Sequence, residues 1–440
     1  MSDQLDHGRS ARGRGGKVTT LVTTTAASAP PQDLVEQVGR YFDLEPAVVQ
    51  DPYPLFHRMQ REAPVLLFRS MATLTRYADV EMVVRDLETY RSQPVGASRV
   101  EAAAAKLDAR EAGMLRENVA FMGQWLSVSD PPVHTRIRGL SHRAFTPRHV
   151  AELGEQVRRI TDELLDAAAE KETVELIDDF AYRLPISVIG AMLGVPQDDA
   201  RLIRNLSNTL GDFVGAEYRG IEATNLAIKE FRGYLHDLYK LRRANPGLDL
   251  LTSFMEAEEA GQRLTRDELD ATMVQLLFAG HETTTNLIAN GLWALLTHPD
   301  QLALLREQPE LIGSAVEEFL RWNTSSQVLH RQASRDSEIA RVKIPKGMTL
   351  RLFLGAANRD PERYEDADRF DITRTDLKHL GFGIGPHYCL GQALARLETA
   401  VAVGSIVRRF PTIEFAGPAP WRRNLQLRGL EQLPLRLRAA

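Results

Sequence analysis

The feature that most constrains the fold of this 440-residue chain is one long helical segment from Thr265 to His298. It begins with a capping box, in which the side chains of Thr265 and Glu268 can each bond to the other's backbone N–H, and Pro299 ends it. At 1.5 Å per residue, a helix of about thirty residues spans ~45–50 Å, the full width of a domain. Apart from Gln275, residues 273–278 are apolar on every side of the helix, so its middle must be buried. The pattern predicts a large, mainly α-helical domain organised around this central helix.

The buried middle continues into an unusual composition, Ala279-Gly280-His281-Glu282-Thr283-Thr284. A glycine costs about 1 kcal/mol against alanine inside a helix, and a buried carboxylate costs more unless it is paired. Thr283 can donate to the carbonyl of Ala279 and bend the helix locally, while Gly280 leaves space beside the bend. These residues indicate either a groove wide enough for a diatomic ligand or a threonine-rich packing kink. We interpret His281 as structural.

The only cysteine of the chain, Cys389, lies in a glycine-studded segment from Phe382 to Gly391. Glycines at 383, 385 and 391 allow positive φ and close approach of the backbone to a flat cofactor. Residues 392–407 have a helical pattern, so the helix dipole would lower the pKa of the Cys389 thiol and make it a good metal ligand. His387 adds a hydrogen-bonding group. A lone cysteine is more often a small buried hydrophobe, so the surrounding pattern has to decide.

That pattern, Phe-Gly-x-Gly-x-His-x-Cys-x-Gly, resembles the haem-binding loop of cytochromes P450, and residues 279–284 resemble the motif that precedes it in that family. The resemblance extends from about Asp51 to the C-terminus. It implies the cytochrome P450 fold, mainly α, with a large helical domain, a long central helix and small β-sheets. It also implies haem b, with Cys389 as the iron ligand.

The resemblance assigns roles to further residues. It implies that Glu282 and Thr283 deliver protons to bound O₂, and that the haem is contacted by Ala279, Gly280, Phe382, Gly383, His387 and Gly391. His134 and Arg138 share one face of a helix for which Asp130 is the expected N-cap and Pro131 the first residue. With Arg331, they are expected to hold haem propionates. On spacing alone, His134 and Arg138 would be a solvated basic face.

The pair Glu318 and Arg321 is three residues apart on a predicted helix and can form a two-armed ion pair. An ordinary surface salt bridge would contribute only ~0–1 kcal/mol. The resemblance instead implies a buried pair that supports folding and haem retention.

We expect the substrate pocket to include Phe278 and Ala279 of the central helix, residues 324–329 with Gln327 and Val328 among them, and residues 425–427 with Leu427. The polar run from Asn323 to Gln327 indicates either a ligand with hydroxyl or amide groups or a solvent-facing segment.

The predicted function is a haem-thiolate monooxygenase that inserts one oxygen atom from O₂ into an organic small molecule, by hydroxylation or epoxidation. Secondary metabolites, lipids, steroids and xenobiotics are the substrate classes considered. Alternatives are a P450-fold enzyme for peroxide-driven oxidation, oxidative coupling or desaturation, a non-catalytic haem sensor, and a haem-free enzyme with a Cys389 nucleophile and His387 as base.

No nicotinamide or flavin fingerprint occurs in the sequence, so electrons from NAD(P)H are expected to arrive through a ferredoxin and its reductase. Arg136, Arg143 and Arg148 are candidates to receive an acidic ferredoxin.

Composition limits the remaining possibilities. The net charge of −5 gives no signature of nucleic-acid binding. One cysteine excludes an intrachain disulfide and fits a reducing, cytoplasmic compartment. The sequence has no apolar run of 18 residues, so no membrane anchor is predicted, as in the soluble bacterial type of the family. We expect a disordered tail over residues 1–31, one haem domain over 32–440, and a monomer.

Overall fold

The computed structural model describes residues 30–92, 97–216, 218–259 and 264–438. The predicted tail therefore lies outside the described residues, except for Pro30 and Pro31 at the start of the first helix. None of the described helices combines the length and the apolar composition that crossing a bilayer requires.

Helices dominate the described residues, with short 3₁₀ and π turns between them. The α-helices found in these ranges are α1 (Gln32–Phe42), α2 (Pro46–Gln50), α3 (Tyr53–Glu62), α4 (Tyr77–Arg85), α5 (Ala97–Ala104), α6 (Ala109–Met122), α7 (Val133–His142), α8 (Pro147–Glu152), α9 (Gly154–Ala169), α10 (Arg183–Met192), α11 (Ala200–Gly215), α12 (Ile221–Ala244), α13 (Leu250–Glu259), α14 (Arg266–Thr297), α15 (Pro299–Glu307), α16 (Ile312–Trp322), α17 (Leu354–Ala357) and α18 (Gln392–Arg409).

Ten short strands form three small sheets in the described part of the chain. They are β1 (Val65–Phe68), β2 (Met71–Leu74), β3 (Tyr90–Arg91), β4 (Val174–Glu175), β5 (Val328–Ala333), β6 (Ser337–Ile339), β7 (Val342–Ile344), β8 (Thr349–Phe353), β9 (Thr412–Phe415) and β10 (Pro434–Arg438). The largest sheet has the order β1-β2-β8-β5-β3, and only its β2–β8 pair is parallel. The other two sheets are β4-β10-β9 and the hairpin β6-β7.

Helix α14 is the central helix that the sequence predicts, and its capping box is present. The Thr265 side chain accepts from the Glu268 backbone N–H, and the Glu268 side chain accepts from the Thr265 N–H. The helix packs against α10, α11, α16 and α18, which explains why residues such as Met273 and Leu277 have no exposed surface. It therefore forms the centre of the main hydrophobic core.

Helix α7 begins at Val133, two residues after the predicted first position. The Asp130 carbonyl accepts the His134 backbone N–H at 3.0 Å, and the Asp130 carboxylate accepts the Ser92 backbone N–H at 3.0 Å. His134 and Arg138 nevertheless lie one turn apart on α7, as expected.

Candidate active site

A cavity of about 300 Å³ is lined by α14 and by the cysteine loop, residues 382–391. We call it the main cavity. From α14 it takes Leu276, Ala279, Gly280 and Thr283, at positions i, i+3, i+4 and i+7 of one helical stripe. These four residues keep exposed surface although their neighbours on α14 are mostly buried. The otherwise buried helix thus presents one open stripe to the main cavity.

The local geometry of this stripe agrees with the sequence prediction at Thr283, whose hydroxyl donates to the Ala279 carbonyl at 2.9 Å. Gly280 lines the main cavity, as predicted for the space beside the bend. A second reason for glycine is that a Cβ there would lie 2.6 Å from Cγ1 of Ile189 on α10.

Glu282 faces a different space from Thr283. It lines a second cavity of about 450 Å³, together with Thr285 and Asn286 of α14, residues of α11 and the segment after β9. We call this second cavity the vestibule. The Glu282 carboxylate is 7% exposed and pairs with the guanidinium of Arg422. The predicted acid and alcohol are therefore adjacent in sequence but open into separate cavities.

The cysteine loop has two glycines in the left-handed region, Gly383 with φ +67° and Gly385 with φ +70°. Its turn brings the Cys389 backbone N–H to the Phe382 carbonyl at 2.9 Å. The prediction of a positive φ for Gly391 is wrong, since this residue is the N-cap of α18 with φ −88°.

The expected low pKa of Cys389 is also not found. Burial raises the pKa of the Cys389 thiol, and this effect outweighs the Gly391 backbone hydrogen bond and the charges of Arg138 and Arg396, which lower it. Without a metal the site favours the thiol, and a bound metal would have to displace the proton.

Basic side chains converge at one end of the main cavity. Arg138, Arg331 and His387 line it, and the His134 ring lies 4.1 Å from the His387 ring, centroid to centroid. Burial and the charges of Arg331, His134 and Arg138 lower the pKa of His387 to about 3, and burial lowers the pKa of Arg331 to about 10. A cluster of this kind favours an anionic partner.

Two polar atoms in this basic cluster, His134 Nε2 and Arg331 Nε, are buried and have no hydrogen-bond partner among the described residues. Buried polar groups in folded proteins almost always have a partner. The cluster therefore has the donors and the charge to bind carboxylates.

Glu318 and Arg321 form a fully buried pair with no exposed side-chain surface. Two guanidinium nitrogens of Arg321 donate to the two Glu318 oxygens at 2.7 Å each. The remaining N–H groups of Arg321 donate to the carbonyls of Asn358, Ala367 and Arg369. This pair fixes the segment before the cysteine loop, and the alternative of a surface salt bridge does not apply.

Of the predicted pocket residues, the described lining of the main cavity includes Ala279 but not Phe278, Gln327, Val328 or Leu427. Phe278 packs on Trp125, and the Gln327 amide donates to the Thr324 carbonyl at 2.7 Å. Val328 belongs to a separate hydrophobic core, and Leu427 is buried beside Ser326. The cavity is also lined by Thr324, Ser325, Ser326 and Leu329, which belong to the predicted segment 324–329.

Sequence reasoning missed several polar residues of the main cavity, among them Glu398 and Gln275. Glu398 of α18 lines it with both carboxylate oxygens buried and without a hydrogen-bond partner among the described residues, and burial raises its pKa well above the ordinary value. A glutamate in an apolar stretch of α18 was the available signal. Gln275 lines the cavity too, and its side-chain oxygen accepts the Leu126 backbone N–H at 2.6 Å.

Arg422 was also missed as the partner of Glu282. The two residues are 140 positions apart, and no local pattern connects them.

Comparisons with known proteins identify the family. The family model described as Cytochrome P450 matches residues 200–426. Cytochrome P450 107B1 from Saccharopolyspora erythraea is 41% identical over 89% of this chain and 96% of that protein. Vitamin D(3) 25-hydroxylase from Pseudonocardia autotrophica is 38% identical over 88% of this chain and 94% of that protein.

The fold comparison agrees. The ligand-free crystal structure of CYP164A2 from Mycobacterium smegmatis matches with a TM-score of 0.81 and 35% identity, over 92% of this chain and 100% of that one. The predicted P450 fold and monooxygenase class are confirmed. This chain belongs to the cytochrome P450 family of haem- and O₂-dependent monooxygenases.

Proposed function

We propose that this monooxygenase oxidises its substrate in the main cavity, between the open stripe of α14 and the cysteine loop. The observation that carries the proposal is that Cys389 and Thr283 line the same cavity. Glu282, next to Thr283, faces a second cavity that can supply protons. One atom of O₂ enters the product and the other leaves as water, with two electrons and two protons.

The haem implied by the family fits the residues of the main cavity. The unpartnered donors on His134 and Arg331 and the nearby Arg138 and His387 suit its two propionates. Apolar side chains, among them Leu287, Leu320 and Leu390, suit its macrocycle. Cys389 would bind the iron, and the bound haem supplies the activation of O₂. Phe382, Gly383 and Gly391 would lie against the macrocycle, since all three line the cavity.

Glu282 and Thr283 then have separate tasks. The Thr283 hydroxyl donates its hydrogen bond to the Ala279 carbonyl. The Thr283 oxygen can therefore accept a hydrogen bond from water in the main cavity. Glu282 accepts protons on the vestibule side and releases them toward Thr283. A positioned proton donor of this kind contributes typically ~10²–10⁴ in rate.

The substrate that this cavity favours is mainly apolar, with one or a few oxygen atoms. The side-chain oxygens of Thr324 and Ser325 are buried and line the cavity, and neither has a hydrogen-bond partner within the described ranges. They can bond a hydroxyl or carbonyl group on an otherwise hydrocarbon ligand. The named hydroxylase relative points to the same class, since its name specifies vitamin D(3). We therefore propose a lipid, a steroid or an apolar secondary metabolite.

A library screen tests the substrate class. Compounds are added to the purified haem protein. Binding that displaces water from the iron is measured as a shift of the Soret band. We expect apolar compounds with one or two oxygens to give the shift. A set of hits dominated by highly polar compounds would contradict this substrate class.

The electron source is proposed to be NAD(P)H, through a ferredoxin and its reductase. Among the candidate docking residues, Arg148 is 91% exposed and pairs only loosely with Glu152 at 3.3 Å. Arg136 donates to Glu268, and the side chain of Arg143 lies outside the described residues. We therefore expect Arg148→Glu to weaken ferredoxin binding in a salt-dependent way, measured by titration at two ionic strengths. Equal affinity for the wild type and the variant would exclude Arg148 from the docking surface.

A peroxide-driven reaction is distinguished by the source of the oxygen atom. With NAD(P)H, both redox proteins and ¹⁸O₂, we expect ¹⁸O in the product by mass spectrometry. Product formed with hydrogen peroxide alone at a comparable rate would favour the alternative.

We also propose that residues 32–440 act as one domain in a monomeric, cytoplasmic protein, consistent with the single cysteine.

A further inference from the structure

Arg422 holds the Glu282 carboxylate toward the vestibule. Its Nη1 donates to Glu282 Oε1, and its Nη2 donates to Asp212 Oδ1 at 3.1 Å. The Arg422 backbone N–H donates to the Gly429 carbonyl at 2.9 Å, which fixes the base of the side chain. Burial lowers the pKa of Arg422, but the carboxylates of Glu282 and Asp212 raise it further, so the guanidinium stays charged. One arginine therefore serves two carboxylates on two different helices.

The second carboxylate belongs to the last turn of α11. The segment that carries Arg422 is bonded to that same turn, because the Asn424 side chain donates to the Gly211 carbonyl and the Leu425 N–H donates to the Gly215 carbonyl, both at 3.0 Å. A Cβ on Gly215 would overlap the Asn424 amide. The position of Arg422 thus depends on how the end of α11 packs against this segment.

The vestibule has the polar lining that water requires. Thr285 Oγ1 and Asn286 Nδ2 both line it and are buried, and neither has a hydrogen-bond partner in the part of the chain that the structure describes. Such atoms are normally satisfied by water. At roughly 30 Å³ per water molecule, a volume of about 450 Å³ is ample for a chain of waters that reaches Glu282.

We propose that Arg422 is a positioning residue for proton delivery, which keeps Glu282 turned toward vestibule water and, through Asp212, makes that orientation depend on the packing of α11. Glu282 passes a proton to the Thr283 side and takes one back from vestibule water, so the net transfer is one proton from solvent. The proposal rests on the proposed role of Glu282, but the bridge can be tested without turnover.

The first experiment measures hydrogen exchange by mass spectrometry on the holoenzyme. Arg422→Gln and Asp212→Asn each remove one link of the bridge. We expect about 3- to 10-fold faster exchange in the last turn of α11 in both variants, the equivalent of one hydrogen bond. Arg423→Gln is the matched control, because Arg423 also lines the vestibule but donates to the Leu44 carbonyl and to neither carboxylate.

The second experiment reconstitutes the holoenzyme with ferredoxin, reductase and NADPH, and measures the hydrogen peroxide formed per NADPH consumed. When protons are not delivered to the correct oxygen atom, O₂ leaves as hydrogen peroxide after taking up two electrons and two protons. We therefore expect the ratio of peroxide to NADPH to rise about 3- to 10-fold in Arg422→Gln. Arg422→Lys keeps the charge but can hold only one carboxylate well, and should restore the ratio in part. The affinity of Arg422→Gln for 4-phenylimidazole should stay within about twofold of the wild-type affinity, because Arg422 does not line the main cavity. A twofold change is smaller than the loss of one hydrogen bond.

The outcomes separate the two levels of the inference. Unchanged exchange at the end of α11 in both variants overturns the bridge. Faster exchange with an unchanged peroxide ratio leaves the bridge as purely structural and overturns the positioning role. Absence of NADPH consumption in the wild type would instead contradict the proposed electron source.

Discussion

Two carboxylate–guanidinium pairs in this enzyme have the same chemistry and different surroundings. Glu318–Arg321 has no exposed surface, and the Arg321 nitrogens donate to Glu318 and to three backbone carbonyls. Glu282–Arg422 borders the vestibule, with side-chain exposures of 7% and 23%, and its arginine is shared with Asp212. The Glu318–Arg321 pair allows a single set of hydrogen bonds, which suits a fixed scaffold. The second can be rearranged at low cost, which suits a residue that moves protons.

The largest effect is expected from Arg321→Leu. It leaves the buried Glu318 carboxylate with only Arg374 at 3.7 Å and the Asp371 backbone N–H at 2.9 Å. Loss of the main partner of a buried charge costs up to roughly 3–5 kcal/mol, and the substitution also removes the donors to three carbonyls near the cysteine loop. The free energy of unfolding by denaturant and the haem content of the purified protein measure the loss. Arg321→Lys keeps the charge without the fork, and should fall between the wild type and Arg321→Leu. Normal stability and haem content in Arg321→Leu would show that the buried pair is not a scaffold element.

Glu282→Gln should separate activity from stability. We expect product formation to fall by ~10²-fold, because the amide cannot carry a proton. The free energy of unfolding should change by less than about 1 kcal/mol, since Arg422 keeps Asp212 and the vestibule is open to water. Turnover and denaturant unfolding of one preparation test both statements. A stability loss as large as that of Arg321→Leu would remove the distinction between the two pairs.

Glu398 extends the comparison to a buried carboxylate without a hydrogen-bond partner among the described residues. Burial raises its pKa, so above the ordinary pKa of glutamate the unfolded chain loses this proton while the folded protein keeps it. Stability is therefore lost as the pH rises through that range. Glu398→Gln removes this loss and should match the wild-type Tm near pH 4, but exceed it by roughly 1–3 °C at pH 8. A variant that is less stable than the wild type at pH 8 would show that the Glu398 carboxylate is satisfied in solution.

The smallest effect is expected for a third pair, Arg136–Glu268, which is 35% and 16% exposed. Solvent screens such a pair, so Arg136→Gln should lower the free energy of unfolding by less than about 1 kcal/mol. The effect should shrink further in high salt. Denaturant unfolding at two salt concentrations measures it, and a loss of several kcal/mol would mean that exposure does not order the three pairs.

Features that depend on nearest neighbours along a helix could be predicted from the sequence. The capping box at Thr265, the bond from Thr283 to Ala279 and the shared face of His134 and Arg138 each involve residues three or four apart. Helical geometry alone brings such residues together.

The errors arise where a distant residue competes. Helix α7 begins two residues later than predicted, and the Asp130 carboxylate accepts an N–H from Ser92, 38 positions away. The Cys389 thiol has a raised pKa because burial, a property of the whole fold, outweighs the Gly391 backbone hydrogen bond and the charges of Arg138 and Arg396. Gln327 and Val328 lie beside the cavity-lining residues in sequence but are held by Thr324 and by a separate core.

The sequence by itself determined the family, the central helix and the identity of the residues that the chemistry requires, because these are set by composition and by spacing within one element. Only the tertiary structure decided which cavity each residue faces and which group it bonds. Glu282 and Thr283 are adjacent in the chain, yet the packing of α10, α11 and the segment after β9 around α14 places them in separate cavities. Contacts between distant parts of the chain depend on how whole elements pack, and no local pattern of residues records that packing.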